Sequence, residues 1–105
     1  GEKTLPVHPL VSNQPEPGFR VAAVHVMPSQ VTITGPESRL RSLASISTEP
    51  VNVQGLRATT TLDVYLEIPD ARLRIQNRAA LVRVEIVIEK VSEPEESDAK
   101  DPGKS

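Results

Sequence analysis

The side chains that could do chemistry in this chain are two histidines, a scatter of serines, a few carboxylates and a set of arginines. His8 and His25 each fall on the polar phase of an alternating segment. A metal site would need further His, Asp or Glu ligands at defined spacing, and neither H-x-H nor H-E-x-x-H occurs. Both histidines therefore read as surface residues. Ser12, Ser29, Ser38, Ser42, Ser45 and Ser47 sit in turn or helix contexts, none of them inside G-x-S-x-G. A nucleophilic serine needs a base and an orienting acid, whereas turn and cap roles account for all of these. Asp63 and Glu67 flank Tyr65 on what reads as a solvated strand face, where cross-strand pairing is their natural role. No catalytic, cofactor-binding or metal-binding residue is assigned, and the chain reads as a non-enzyme.

Anion chemistry is equally thin. The five glycines are scattered and never form a phosphate-binding loop. Gly35-Pro36 opens a helical segment without a following lysine, which reads as a plain helix start rather than an anion site. Arg39, Arg41, Arg57, Arg72, Arg74, Arg78 and Arg83 would form a basic strip if the later arginines folded near that helix. Nucleic-acid modules add stacking aromatics to such a strip, and aromatics are only 2% of this chain, Phe19 and Tyr65.

The elements that must carry these side chains belong to one small domain. The chain has 105 residues, no cysteine and 37% hydrophobic residues, so its core is aliphatic, made of Val, Ile and Leu. Without cysteine there is no disulfide framework and no thiolate chemistry. No apolar run approaches the roughly 20 residues that span a bilayer, so the chain itself inserts into no membrane. Net charge is −2, unevenly spread. Residues 91–105 carry Glu93, Glu95, Glu96, Asp98 and Asp101 against Lys100 and Lys104. Removing these from fourteen acids and twelve bases leaves nine and ten, a body near neutrality that predicts no nucleic-acid partner.

Gly1 and Glu2 read as a cloning remnant, residues 3–91 as the ordered body and residues 92–105 as a disordered acidic tail. Within the body, Thr4 to Val11 alternates but contains Pro6 and Pro9, which predicts an edge or irregular strand. Residues 13–18 form a loop by composition. From Phe19 to Met27 the apolar phase slips from Phe19 and Val21 to Val24 and Val26, which predicts a β-bulge near Ala22-Ala23. Leu62, Val64, Leu66 and Ile68 share one face of a strand over 59–68, and Val82, Val84, Ile86 and Ile88 one face of another over 80–90. Val87 breaks the polar row of the latter, which places it under a loop or at a contact surface.

The most punctuated stretch is Val31 to Gly55. Val31 and Ile33 alternate with Thr32 and Thr34 as a half-buried strand. Gly35 is expected to supply unusual dihedrals at its end, and Pro36 to occupy the first position of a helix over 36–44 with Leu40 and Leu43 inward. Glu49-Pro50 then leads into Val51-Asn52-Val53, with Gly55 closing the unit. The expected fold is mainly β, with crossed, irregular sheets and one short helix near residues 36–44.

In order and spacing, Val24, Val26, Pro28, Val31, Ile33, Gly35, Pro36, Leu40, Thr48, Pro50, Val51, Val53 and Gly55 resemble the YbbR-like domain family. The resemblance extends over roughly residues 3 to 91. It implies a bacterial β-rich unit that occurs in tandem repeats behind a transmembrane anchor, outside the cytoplasmic membrane. It also implies a non-catalytic role through protein–protein contacts, since a well-known relative regulates a membrane diadenylate cyclase in the c-di-AMP pathway. The expected partners are such a cyclase and neighbouring repeats, the isolated unit being a monomer. The alternative is an RNA- or ribosome-associated β domain, by fold analogy alone. A carbohydrate-binding module would call for exposed aromatic platforms, and only Tyr65 is available on a polar face.

Overall fold

The computed structural model describes residues 1–76 and 80–91; the acidic segment 92–105 and Arg78 lie outside the described residues. Among the described residues nine strands and one helix follow in the order β1 Glu2–His8, β2 Val11–Ser12, β3 Phe19–Met27, β4 Gln30–Thr34, α1 Glu37–Arg41, β5 Ile46–Ser47, β6 Val51–Asn52, β7 Thr60–Tyr65, β8 Arg74–Ile75 and β9 Leu81–Lys90. The fold is mainly β, as expected. It consists of a four-stranded sheet ordered β5-β1-β4-β8, a three-stranded sheet ordered β3-β9-β7, and the small parallel pair β2-β6.

The three-stranded sheet follows directly from alternation. β9 pairs antiparallel with β3 on one side and β7 on the other, and Val82, Val84, Ile86 and Val64 are buried on its inner face. Register slips between Val21 and Ala23, opposite Ile88 and Val87, so Ala22 is the extra residue of the predicted bulge. Val87 pairs with Ala23 at that bulge, half-buried on the outer face.

The four-stranded sheet is put together from short pieces. β1 opens at Glu2, one residue before the expected start of the body, and pairs antiparallel with β4 from Glu2↔Thr34 to Pro6↔Gln30. Contrary to an edge position, β1 lies inside the strand order, with β5 parallel to it at Val7↔Ile46 and His8↔Ser47. The prolines explain how this is possible. Odd residues of β1 turn their backbone toward β4, since Gly35 N–H donates to Gly1 O and Val7 N–H to Ser29 O. Even residues turn toward β5, where Thr48 N–H donates to His8 O. Pro6 is even, so its missing N–H falls on the β5 side and ends that ladder without cost to β4.

The helix is shorter than expected, and Pro36 is its N-cap rather than its first residue. Pro36 O accepts from the N–H groups of Arg39 and Leu40. At the other end Lys3 Nζ donates to the carbonyls of Leu40 at 3.1 Å and Leu43 at 2.9 Å, a cation closing a helix C-terminus. Gly35 also departs from expectation, because its φ is not positive. A Cβ there would lie 2.7 Å from Leu73 Cδ2 and 3.2 Å from Arg72 O, so any other residue would have to displace the Leu73 side chain and crowd that carbonyl. Gly55, at φ 78°, is the glycine that serves a left-handed turn.

One continuous aliphatic core runs through both sheets: Leu5, Val31, Ile33 and Ile46 in one, Val64, Val84 and Ile86 in the other, joined by Leu40 of α1 and by Val51 and Val53. Each such fully buried side chain contributes about 1.5–3 kcal/mol.

Candidate interaction surfaces

Where the two sheets meet, Thr48 is the buried polar residue among the described core positions, with no exposed surface. Its N–H donates to His8 O, its Oγ1 accepts from Leu10 N–H at 3.0 Å, and it bridges to Leu66. The parallel pairing shifts by one residue here, from Val7↔Ile46 to Val11↔Val51, and the Thr48 hydroxyl fills the gap in the ladder. Pro9 and Pro50 flank the shift. The T-x-P spacing of the sequence is thus a backbone joint, with no reactive group in it.

The sequence-named side chains do not converge. His8 is exposed at the end of β1, and His25 is exposed opposite Glu85 across β3 and β9. Ser45 and Ser47 line an open cleft of about 460 Å³ with Leu43, Ile46, Glu67, Ile68 and Pro69, and no histidine lines it. Ser42 Oγ donates to Arg39 O at the helix end, a cap role. Asp63 pairs with Arg83 at 3.3 Å, the cross-strand role expected of it. Among the described residues no group of three or more His, Cys, Asp or Glu is placed to hold a metal ion. No helix among them is long and apolar enough to cross a membrane.

Two surfaces remain. On the outer face of the three-stranded sheet Met27 is 74% exposed and Tyr65 56% exposed, near the Arg83–Asp63 pair. The second surface lies beside α1. Of the arginine strip, Arg39 and Arg72 gather on Asp70, at 3.1 and 3.5 Å. Arg74 Nη1 donates to the carbonyls of Ala71 at 2.8 Å and Leu73 at 3.2 Å in the same loop. Arg83 lies apart on β9, and Arg57 follows the Gly55 turn. Asp70 is the hub that sequence reading missed, although Pro69-Asp70 carries the signal of an Asx turn. Its carboxyl is held below the usual carboxylate range, first by the Arg72 backbone N–H donating to Oδ1, then by the Arg72 and Arg39 guanidinium groups, against some desolvation.

The chain is thus a mainly β domain of two open sheets sharing one core, with paired surface charges and a polar joint. The sequence profile of the YbbR-like protein family matches residues 5–94, and the chain belongs to that family. Among solved structures, SuR18C from Streptococcus thermophilus is similar at a TM-score of 0.67 and 18% identity, covering 91% of each chain. The YbbR-like domain of the lmo2119 protein from Listeria monocytogenes is 16% identical, with 89% of this chain and 99% of that one covered and a TM-score of 0.42. No curated protein matches.

Proposed function

We propose that this chain is a non-catalytic, extracytoplasmic repeat module of a membrane-anchored regulator. It acts through protein–protein contacts, with a membrane diadenylate cyclase as its target. The observation that carries this reading is the family match over residues 5–94, which takes in every described element except the first three residues of β1. The pairing of surface charges within the sheets, Arg20–Glu89 at 2.7 Å and Arg83–Asp63 at 3.3 Å, is what a spacer or docking unit needs and a reaction centre does not. The test is the full-length gene product, expressed with and without this unit beside the cyclase of the same cell. The reading expects a membrane span preceding the repeats, and cyclase recovery that falls when the unit is deleted. A cytoplasmic, unanchored product, or undiminished recovery, overturns it.

A further inference from the structure

The arginine cluster has a position in the fold that suggests what it meets. Gly1 O accepts from Gly35 N–H, so the described chain begins beside the loop of Asp70 to Arg74 that packs on Gly35. β1 and β2 lead away from that pole, their direction shown by successive parallel pairing with β5 and β6. The far pole is the loop region where Glu16 N–H donates to Leu56 O, and β9 ends there, with Val91 N–H donating to Gly18 O. The two described ends of the chain are therefore at opposite poles. The segment that follows Val91 carries five acids and two lysines in residues 92–105.

We propose that the arginine pole, formed by Arg39, Arg72 and Arg74 around Asp70, is the docking surface for the acidic 92–105 segment of a second copy, joined head to tail. Two guanidinium groups, of Arg39 and Arg72, share the Asp70 carboxylate, and that of Arg74 beside them is held by the Ala71 and Leu73 carbonyls alone, which leaves positive charge on exposed side chains. The arginine pole of the same copy is beyond most of the segment's acids. Glu2 to Ser12 alone spans roughly 30 Å in extended backbone, whereas Glu93, Glu95, Glu96 and Asp98 lie at most about 24 Å of extended chain beyond Val91, which leaves Asp101 alone within reach. Contact in trans has no such limit. In a tandem array the geometry does more, because whatever leaves the Val91 pole of one unit leads to the pole where the next begins, raising the local concentration of acids at the arginines. The proposal deepens the repeat reading and rests on it for its setting.

The test titrates a synthetic peptide, SEPEESDAKDPGKS, into the isotope-labelled 105-residue chain and follows backbone amides by NMR. Shifts are expected at residues 39–42 and 70–76, weakening about tenfold when salt rises from low ionic strength to roughly 0.3 M. Arg74→Gln and, separately, Arg72→Gln should each weaken binding about threefold to fivefold with the amide pattern of β7 and β9 unchanged. A peptide with its five acids changed to Gln and Asn should be inert. Shifts elsewhere, no shift at millimolar peptide, or equal binding by the neutral peptide would overturn the proposal. So would an RNA hairpin that binds the same amides more tightly than the peptide. Cyclase recovery by the full-length protein is a separate measurement, so failure of this contact is distinguishable from failure of the regulator reading.

Discussion

The three-stranded and four-stranded sheets of this domain share a core but are held together in different ways. In the β3-β9-β7 sheet, long antiparallel strands meet along eight and six registered pairs, and the buried residues are interchangeable aliphatics. In the β5-β1-β4-β8 sheet, two-residue strands from distant parts of the chain are fixed at single positions: Gly35, Thr48 and Lys3. Stability is spread in the first and concentrated in the second. A sheet joined along many registered pairs keeps its register when one pair is lost, whereas a joint that depends on one hydroxyl or one missing Cβ has no second pair to hold it.

The strongest test compares Ile33→Ala with Ile86→Ala, one fully buried isoleucine from each sheet. Each should cost about 2–5 kcal/mol. Because the core is continuous, both should lower the midpoint of one cooperative urea transition followed by circular dichroism. Two separate transitions, each moved by only one variant, would break the comparison into two independent halves.

Gly35→Ala and Gly55→Ala come next. The first forces a Cβ against Leu73 and the Arg72 carbonyl and should cost about 1–3 kcal/mol. The second meets nothing within 4 Å and should cost only the left-handed backbone strain, about 1–2 kcal/mol. Near-equal losses accompanied by undisturbed Leu73 methyl resonances would show that close approach is not what Gly35 provides.

Thr48→Val keeps the shape and removes the acceptor of Leu10 N–H, with an expected loss of about 1–3 kcal/mol. Amide exchange at Leu10 and Val51 should accelerate more than at Val84. Uniform acceleration would mean that the joint is not a local feature.

The smallest effect is electrostatic. Asp70 has a carboxyl pKa lowered from 3.8, so the stability it contributes is fully present above that value and is lost as pH falls through the depressed folded value. Asp70→Asn should therefore flatten the acid limb of the stability profile below about pH 4, with little change in its pH dependence at neutrality. An unchanged acid limb would show that the Arg39–Asp70–Arg72 cluster contributes no linkage.

How legible each sheet was follows the same division. The faces of β7 and β9 and the bulge at Ala22 are visible as period-2 alternation and a phase slip, because both are local consequences of the pleat. The interior place of β1 was hidden, because Pro6 says that one N–H is missing but not which side of the strand it would have faced. The helix ends early, with the Ser42 hydroxyl on Arg39 O and Lys3 on the Leu40 and Leu43 carbonyls, neither of which leaves a periodic trace. The candidate surfaces were least legible. Arg39 and Arg72 are 33 positions apart, and only the loop packed on Gly35 brings them to one carboxylate.

By itself, then, the sequence determined the family, the β character, the aliphatic core and the order of the punctuating Gly, Pro and Thr residues. Each of these depends on neighbours within a few positions, where propensity, pleat and proline geometry act directly. Tertiary structure alone decided which carbonyl Thr48 completes, why Gly35 must lack a side chain, and which arginines share Asp70. Those depend on segments tens of residues apart meeting at van der Waals distance, and no local pattern encodes such a meeting until the chain has closed around its core.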